Sequence, residues 1–326
     1  MSRNAEQKIK LLVLYELLLK QSDEEHPMTT NELIDALGEY GIEVTRKTLY
    51  EDIDILIRYG YDIVCVKGRN NKYFVGERTF EKPEVEILLN IVGAAQFLSE
   101  KKTTELTQKI AELLGGVQAD YLKELMSVNT IKHNNERIYQ NIDAISSAIL
   151  KKKKLSFLYF DYGIQGERLY RKDKGRYEVN PLGMIYSEDK FYLVCFHDKY
   201  GEPANYRIDR MDEVKVERKA VTQLAKFENF NLNEYRNELF SMYAGERERI
   251  TLLFPRDLRP HAVERFGEGI EPRSVTENTY TITVTVRISK AFFSWLTMFD
   301  GRFKIKSPQS VQEQYRDFIF NLTKTV

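Results

Sequence analysis

Thr45-Arg46-Lys47-Thr48-Leu49-Tyr50-Glu51-Asp52-Ile53-Asp54-Ile55-Leu56-Ile57 is the stretch from which the organisation of the N-terminal part follows. Thr45 can cap a helix that places Leu49, Ile53, Leu56 and Ile57 on its inner face, and Gly60 ends it. Upstream, Thr29-Thr30-Asn31-Glu32 fits a capping box in which Glu32 reaches back to Thr29. The short helix it opens carries Leu33, Ile34 and Leu37 and is closed by Gly38 and Gly41. Further upstream, Ile9, Leu12, Val13 and Leu17 have helical spacing, and Asp23 to Pro27 breaks the pattern. Downstream, two β-type runs, Tyr61 to Val66 and Lys72 to Val75, flank the turn formers Lys67-Gly68-Arg69-Asn70-Asn71. Helix, helix, turn, helix, hairpin is the order of a winged helix-turn-helix, assigned to residues 1–80.

In such an arrangement two helices form a platform and the third lies in the major groove of duplex DNA. Near the start of that third helix, Thr45, Arg46, Lys47, Thr48 and Tyr50 are not needed for the core and suit phosphate and base-edge contact. Lys67, Arg69, Asn70, Asn71 and Lys72 occupy the hairpin tip, where backbone phosphate is the expected partner. Charge weighs against this reading. Residues 1–80 hold 11 Lys and Arg against 14 Asp and Glu, whereas a generic DNA-binding domain is basic. Most of the acids fall elsewhere, on the first two helices or after the reading residues of the third. The expected consequence is weak non-specific affinity, with specificity or dimerisation making up the difference.

At 326 residues the chain has room for about two domains and allows three. With 42% hydrophobic and 30% charged residues it is globular, neither disordered nor collagen-like. Forty-nine basic residues balance forty-nine acidic ones, so any nucleic-acid site must be a local patch. Cys65 and Cys195 cannot build a disulfide framework or a cysteine zinc site. Apolar runs fall far short of the ~20 residues that span a bilayer, and Met1 to Lys10 lacks a signal-peptide core. The expectation is a soluble cytoplasmic protein with no membrane partner.

Residues 81–137 read as a helical connector, with Val85, Leu88, Ile91, Val92 and Ala95 on one stripe and Leu106, Ile110 and Leu113 on another. Such a connector can carry a dimer interface or simply pack on its neighbours. From Ile138 an amphipathic helix runs to Lys151-Lys152-Lys153-Lys154, after which β-type runs dominate: 155–162, 176–179, 182–186, 191–196, 204–208 and 213–217. Short strands between Asp, Gly and Asn turns suggest a small, strongly bent barrel over residues 138–220. Residues 221–245 read as a linker with one helix. Residues 246–326 follow a strand–helix–strand–strand–helix–strand order, which is ferredoxin-like, and then a last helix. The fold class is therefore α+β multidomain.

Phe191-Tyr192-Leu193-Val194 followed by Tyr206-Arg207-Ile208-Asp209-Arg210-Met211 resembles the signature of WYL-domain transcriptional regulators, with Phe191 at the position of the family's tryptophan. Asn180-Pro181 and Leu155-Ser156-Phe157-Leu158-Tyr159 fit as well, and Thr45 to Ile53 is similar to the family's recognition helix, where Glu51-Asp52 stands in place of a commoner Arg-Asp pair. Phe303 to Pro308 resembles the family's C-terminal extension. The resemblance covers nearly the whole chain. It implies a winged helix-turn-helix, a WYL domain built on an Sm-like barrel, and a C-terminal extension. It further implies a homodimeric bacterial regulator whose WYL domain senses a ligand, in several members single-stranded nucleic acid; a nucleotide is the second choice.

Arg207 and Arg210 stand three apart, and spacing alone leaves two readings even: surface arginines bridging to Asp209 and Asp212, or guanidiniums gripping an anion at the barrel mouth. The resemblance favours the second, with Tyr192, Tyr159 and Tyr186 offering rings and hydroxyls to a base. Residues 151–176 hold nine Lys and Arg against three acids. They form either a solvated helix end and loop or a funnel for a polyanion. Catalysis is not expected. His26, His133, His197 and His261 are scattered, and the Cys195/His197 pair reads more readily as a structural cysteine beside a surface histidine. No metal-ligand cluster, phosphate-cradling loop or cofactor motif is present in the sequence. The alternative from another class is an adaptor that holds nucleic acid or protein without sequence-specific DNA binding.

Overall fold

The computed structural model describes residues 3–115 and 137–324, and the chain divides into two compact units, residues 1–136 and 137–326. Part of the expected connector, residues 116–136 with His133, lies outside the described residues. No helix among the described residues is long and apolar enough to cross a membrane. The protein is a mixed α/β structure whose sheets are antiparallel.

In the first unit, α1 (Arg3–Gln21), α2 (Thr30–Glu39) and α3 (Arg46–Arg58) pack around Leu14, Leu18, Leu33, Leu37, Leu49 and Ile53. Both caps form: Thr29 and Glu32 bond reciprocally, and the Thr45 hydroxyl accepts from the Thr48 N–H. Each such cap is worth about 1 kcal/mol. β1 (Met28–Thr29), β2 (Ile63–Val66) and β3 (Lys72–Val75) form a sheet in the order β1-β3-β2, which adds a short strand to the expected hairpin. The inner faces differ from the sequence reading. Leu14, Leu17 and Leu18 of α1 are buried, whereas Leu12 is 67% exposed; Ile57 of α3 is exposed and Asp52 takes the inner place. In α4 (Lys82–Ala94), Val85 and Leu89 face α5 (Glu100–Ala111), and Leu88 and Ile91 are exposed. These helices carry apolar residues on more than one face, so periodicity alone does not say which face turns inward.

The second unit opens with α6 (Ile138–Leu150), followed by a curled sheet of β4 (Lys153–Tyr162), β5 (Arg168–Tyr170), β6 (Tyr177–Ser187), β7 (Lys190–Phe196), β8 (Pro203–Arg207) and β9 (Met211–Ala220). The order is β5-β4-β6-β7-β8, and β9 returns to pair with β4. The two runs expected at 176–179 and 182–186 are one strand. β6 pairs with β4 through Tyr177 to Val179 and then with β7, with a bulge at Pro181/Gly183 where the partner changes. Proline in mid-strand is tolerated at such an irregularity. Residues 221–245 pack closely. Phe227 stacks on Phe196 at 4.4 Å, and α7 (Leu232–Glu238) sets Tyr235 and Leu239 against Ile185 and Val194. Residues 221–245 thus form a strap over β6, and a Cβ at Gly183 would come within 2.7 Å of the Leu232 side-chain end, which would have to shift to admit it.

β10 (Glu246–Pro255), α8 (Arg259–Phe266), β11 (Arg273–Thr276), β12 (Thr279–Ile288), α9 (Lys290–Thr297), β13 (Lys304–Ser307) and α10 (Gln309–Thr323) complete the chain. Their sheet runs β11-β12-β10-β13. Alternation along β10 buries Ile250, Leu252 and Phe254 against Phe292, Leu296, Phe303 and Val311. β11 starts after Pro272, later than expected, because Ile270 packs on this core instead of entering the ladder.

Candidate functional site

The centre of the curled sheet is a cage of rings. Tyr159 on β4 lies edge to face with Tyr206 on β8 (centroids 5.1 Å) and near Phe157 and Tyr177. Phe157 and Tyr177 stack at 5.5 Å, and His197 Nε2 lies 2.8 Å from the Tyr206 hydroxyl. The Tyr159 hydroxyl accepts the backbone N–H of Arg207 at 3.2 Å. Burial pushes the Tyr159 and Tyr206 hydroxyls up, and burial together with the nearby Lys172 charge holds His197 below the ordinary imidazole range.

Its rim is cationic. Arg207 makes a two-pronged pair with Asp209 (3.0 and 2.6 Å), and Asp209 is only 2% exposed. Arg210 donates to Asp161 at 2.8 Å; it does not bridge to Asp212. Asp161 also takes both prongs of Arg171 (2.6 and 3.1 Å). The Arg210 Nε is buried with no hydrogen-bond partner. The Arg171 guanidinium stands 5.2 Å over Tyr159, and Lys172 Nζ is 3.6 Å over Tyr177. The short turn Ile208–Arg210 that carries these groups is fixed from α6, since the buried Asn141 amide donates to Ile208 O and Met211 O.

Of the five residues named from the sequence, Tyr159, Arg207 and Arg210 therefore lie together. Tyr192 faces Arg207 across the β7–β8 ladder and is half-buried under the strap. Tyr186 lies at the β6–β7 hairpin end, with its ring tilted against Phe191 and its hydroxyl bonded to Asp189. Asp161, Arg171 and Asn141 were not singled out from the sequence. The pairing of Asp161 with Arg210 spans 49 positions and leaves no local trace.

Four of the nine basic residues of the stretch 151–176 pair with acids, Arg171 among them. Lys154 is buried on β4 and meets Asp198 at 2.5 Å, Arg168 pairs with Asp212 and Arg176 with Glu213. The Lys154 ammonium holds Asp198 down to about 2, and the Arg171 bond holds Asp161 low. Burial pushes Asp212 the other way, but the Tyr170 hydroxyl and Arg137 keep it low. A carboxylate lowered by folding stabilises the folded state above its ordinary pKa and loses that contribution as pH falls through the folded value. The thermal midpoint is therefore expected to drop between pH 3.8 and about 2, and Asp198→Asn to lose less across that interval than wild type. Melts at stepped pH check this.

What this rim can do is exchange anions. Two oxygens of one phosphate present an anionic pair of acceptors like the two Asp161 oxygens now held by Arg171 and Arg210. Among the described residues no three His, Cys, Asp or Glu side chains come together as metal ligands.

In the first unit the start of α3 is open. Thr45, Arg46, Lys47 and Tyr50 are exposed and Thr48 is half-buried. Arg46 Nη2 donates to Asn31 Oδ1 at 2.9 Å, and the Tyr50 hydroxyl lies 3.5 Å from Thr30 Oγ1. The Thr30 N–H donates to Asn71 O at 3.1 Å, so the α2 start, the α3 start and the hairpin turn form one surface. Lys67, Arg69, Asn70 and Lys72 are exposed around the hairpin tip. Asn31 belongs to this surface and was not singled out from the sequence. Glu51 and Asp54 are exposed on the same helix.

No curated protein matches the sequence. Among solved structures, proteasome accessory factor B/C (PafBC) of Arthrobacter aurescens is 16% identical, over 95% of this chain and 45% of that one, with a TM-score of 0.28. The chain thus spans less than half the length of that protein. A CRISPR Cas-related protein is 13% identical, over 100% of this chain and 87% of that one, with a TM-score of 0.37. Neither superposition is close enough to carry an argument. The family described as WYL domain matches residues 140–216, the interval that holds the ring cage, Arg207 and Arg210. Residues 140–216 of the chain are thus a WYL domain.

Proposed function

We propose that this protein is a non-enzymatic, cytoplasmic, homodimeric transcriptional regulator. In this reading residues 1–80 are a winged helix-turn-helix that binds duplex DNA, and the WYL domain senses an anionic ligand, single-stranded nucleic acid first and a nucleotide second. The observation that carries it is the exposed Arg46 and Lys47 at the capped start of α3, joined through Asn31 and Thr30 to the turn of a basic hairpin. The return of β9 to β4 after a five-strand path supports an Sm-like barrel, and the order β11-β12-β10-β13 with its two interposed helices supports a ferredoxin-like extension.

A salt-titrated mobility shift with the DNA upstream of its own gene tests the first part. Specific binding that weakens steeply with salt supports it, and no preference over unrelated duplex speaks against it. For the ligand, Arg207→Ala and Arg210→Ala are each expected to weaken binding of a short single-stranded oligonucleotide by ~2–5 kcal/mol, read by calorimetry. Unchanged affinity in both variants removes these residues from the site.

An adaptor without sequence-specific DNA binding is the second reading. It is favoured by the acidic balance of residues 1–80 and by Glu51 and Asp54 on the exposed face of α3. Competition of duplex against single-stranded DNA for the full chain separates the two, because an adaptor would prefer the single strand at every salt concentration.

A further inference from the structure

A cleft of about 920 Å³ lies away from the ring cage, walled by the β6–β7 hairpin end, residues 236–243, the end of α8 and the exposed face of α9. Its size suits a small molecule. Arg265 stands in its wall with its Nη2 donating to Leu239 O (2.6 Å) and Asn237 O (3.3 Å) and its guanidinium carbon 3.7 Å over Phe240. Burial lowers it to about 10, which leaves it cationic at neutral pH. Among the described residues no carboxylate comes within ion-pair distance of it; Glu188 acts on it only from farther off. A partly buried guanidinium held by carbonyls and a ring has donors to spare and no counter-ion.

Arg236 and Lys290 line the same cleft, against the acids Glu188 and Glu264. The other wall is apolar: Trp295, with Met298 (74% exposed) and Tyr243 (59% exposed). The geometry points to a binding site for a small aromatic anion, its carboxylate or phosphate on Arg265 and its ring against Trp295 and Tyr243. This site is separate from the sensing reading of the barrel mouth and does not depend on it.

Trp295 is the only tryptophan in the chain, so intrinsic fluorescence of the full-length protein reports on this cleft directly. Titration with phenyl phosphate is expected to change that fluorescence saturably, and inorganic phosphate and benzyl alcohol to bind on the order of tenfold more weakly, since each lacks one half of the recognition. Arg265→Met should abolish the change. Because Arg265 also ties down residues 237–239, Ser294→Glu serves as the second variant: it keeps the arginine, sits at an exposed position and sets a negative charge in the cleft. It should weaken phenyl phosphate about tenfold or more. The proposal is overturned by the absence of a saturable change, by either half-probe binding as tightly as phenyl phosphate, or by wild-type affinity in Ser294→Glu. Loss of the signal in Arg210→Ala with Ser294→Glu unaffected would move the probe to the barrel mouth and overturn it equally.

Discussion

Asp52→Ala is expected to destabilise the first unit by about 3–5 kcal/mol, a large part of the ~5–15 kcal/mol that holds a typical domain together. Lys10 on α1 and Asp52 on α3 meet at 2.7 Å with side chains only 7% and 8% exposed. The contact is close but not aligned as a hydrogen bond, so Asp52 Oδ2 has charge compensation and little else. Removing the carboxylate strands an ammonium between two helices, out of reach of water. Removing both charges together costs far less, since the desolvation of each disappears with it. Lys10→Met/Asp52→Leu should therefore recover most of the loss. Urea unfolding of the three proteins decides it; a loss below about 1 kcal/mol in Asp52→Ala would place the pair among surface ion pairs.

The Arg46→Ala/Lys47→Ala variant is expected to bind upstream duplex about a hundredfold more weakly or worse. Each base-edge or phosphate contact of this kind contributes about 1–3 kcal/mol. Both side chains are exposed, and Arg46 is held through an exposed hydrogen bond to Asn31, so the urea midpoint should not move. The salt dependence of binding should become shallower, because fewer counterions are released. Fluorescence anisotropy at several salt concentrations reads both effects. Wild-type affinity in the variant would mean that the start of α3 is not the reading element.

The features that could be read ahead of the structure are those whose physics acts within a few residues. Thr29 with Glu32 and Thr45 with Thr48 are caps closed over three positions, and both form. The buried Ile250, Leu252 and Phe254 follow from a period of two. What could not be read is which apolar stripe turns inward, as Leu12, Leu88 and Ile91 show, and which acid each arginine takes. Arg207 takes the nearby Asp209, but Arg210 passes over Asp212 for Asp161, because β4 brings Asp161 beside it while Arg137, Arg168 and Tyr170 occupy Asp212.

Local chemistry in the chain was thus enough to set the helices, the turns and the period of the strands, since caps, glycines and alternation act between near neighbours. Partnership across the fold was settled by the register of the sheet and the crossing of the helices. These joined Lys10 to Asp52, Asp161 to Arg171 and Arg210, and left Arg265 facing a cleft without a counter-ion among the described residues. A charge selects its partner by distance in space and by what water it loses there, and neither quantity exists until the chain has folded.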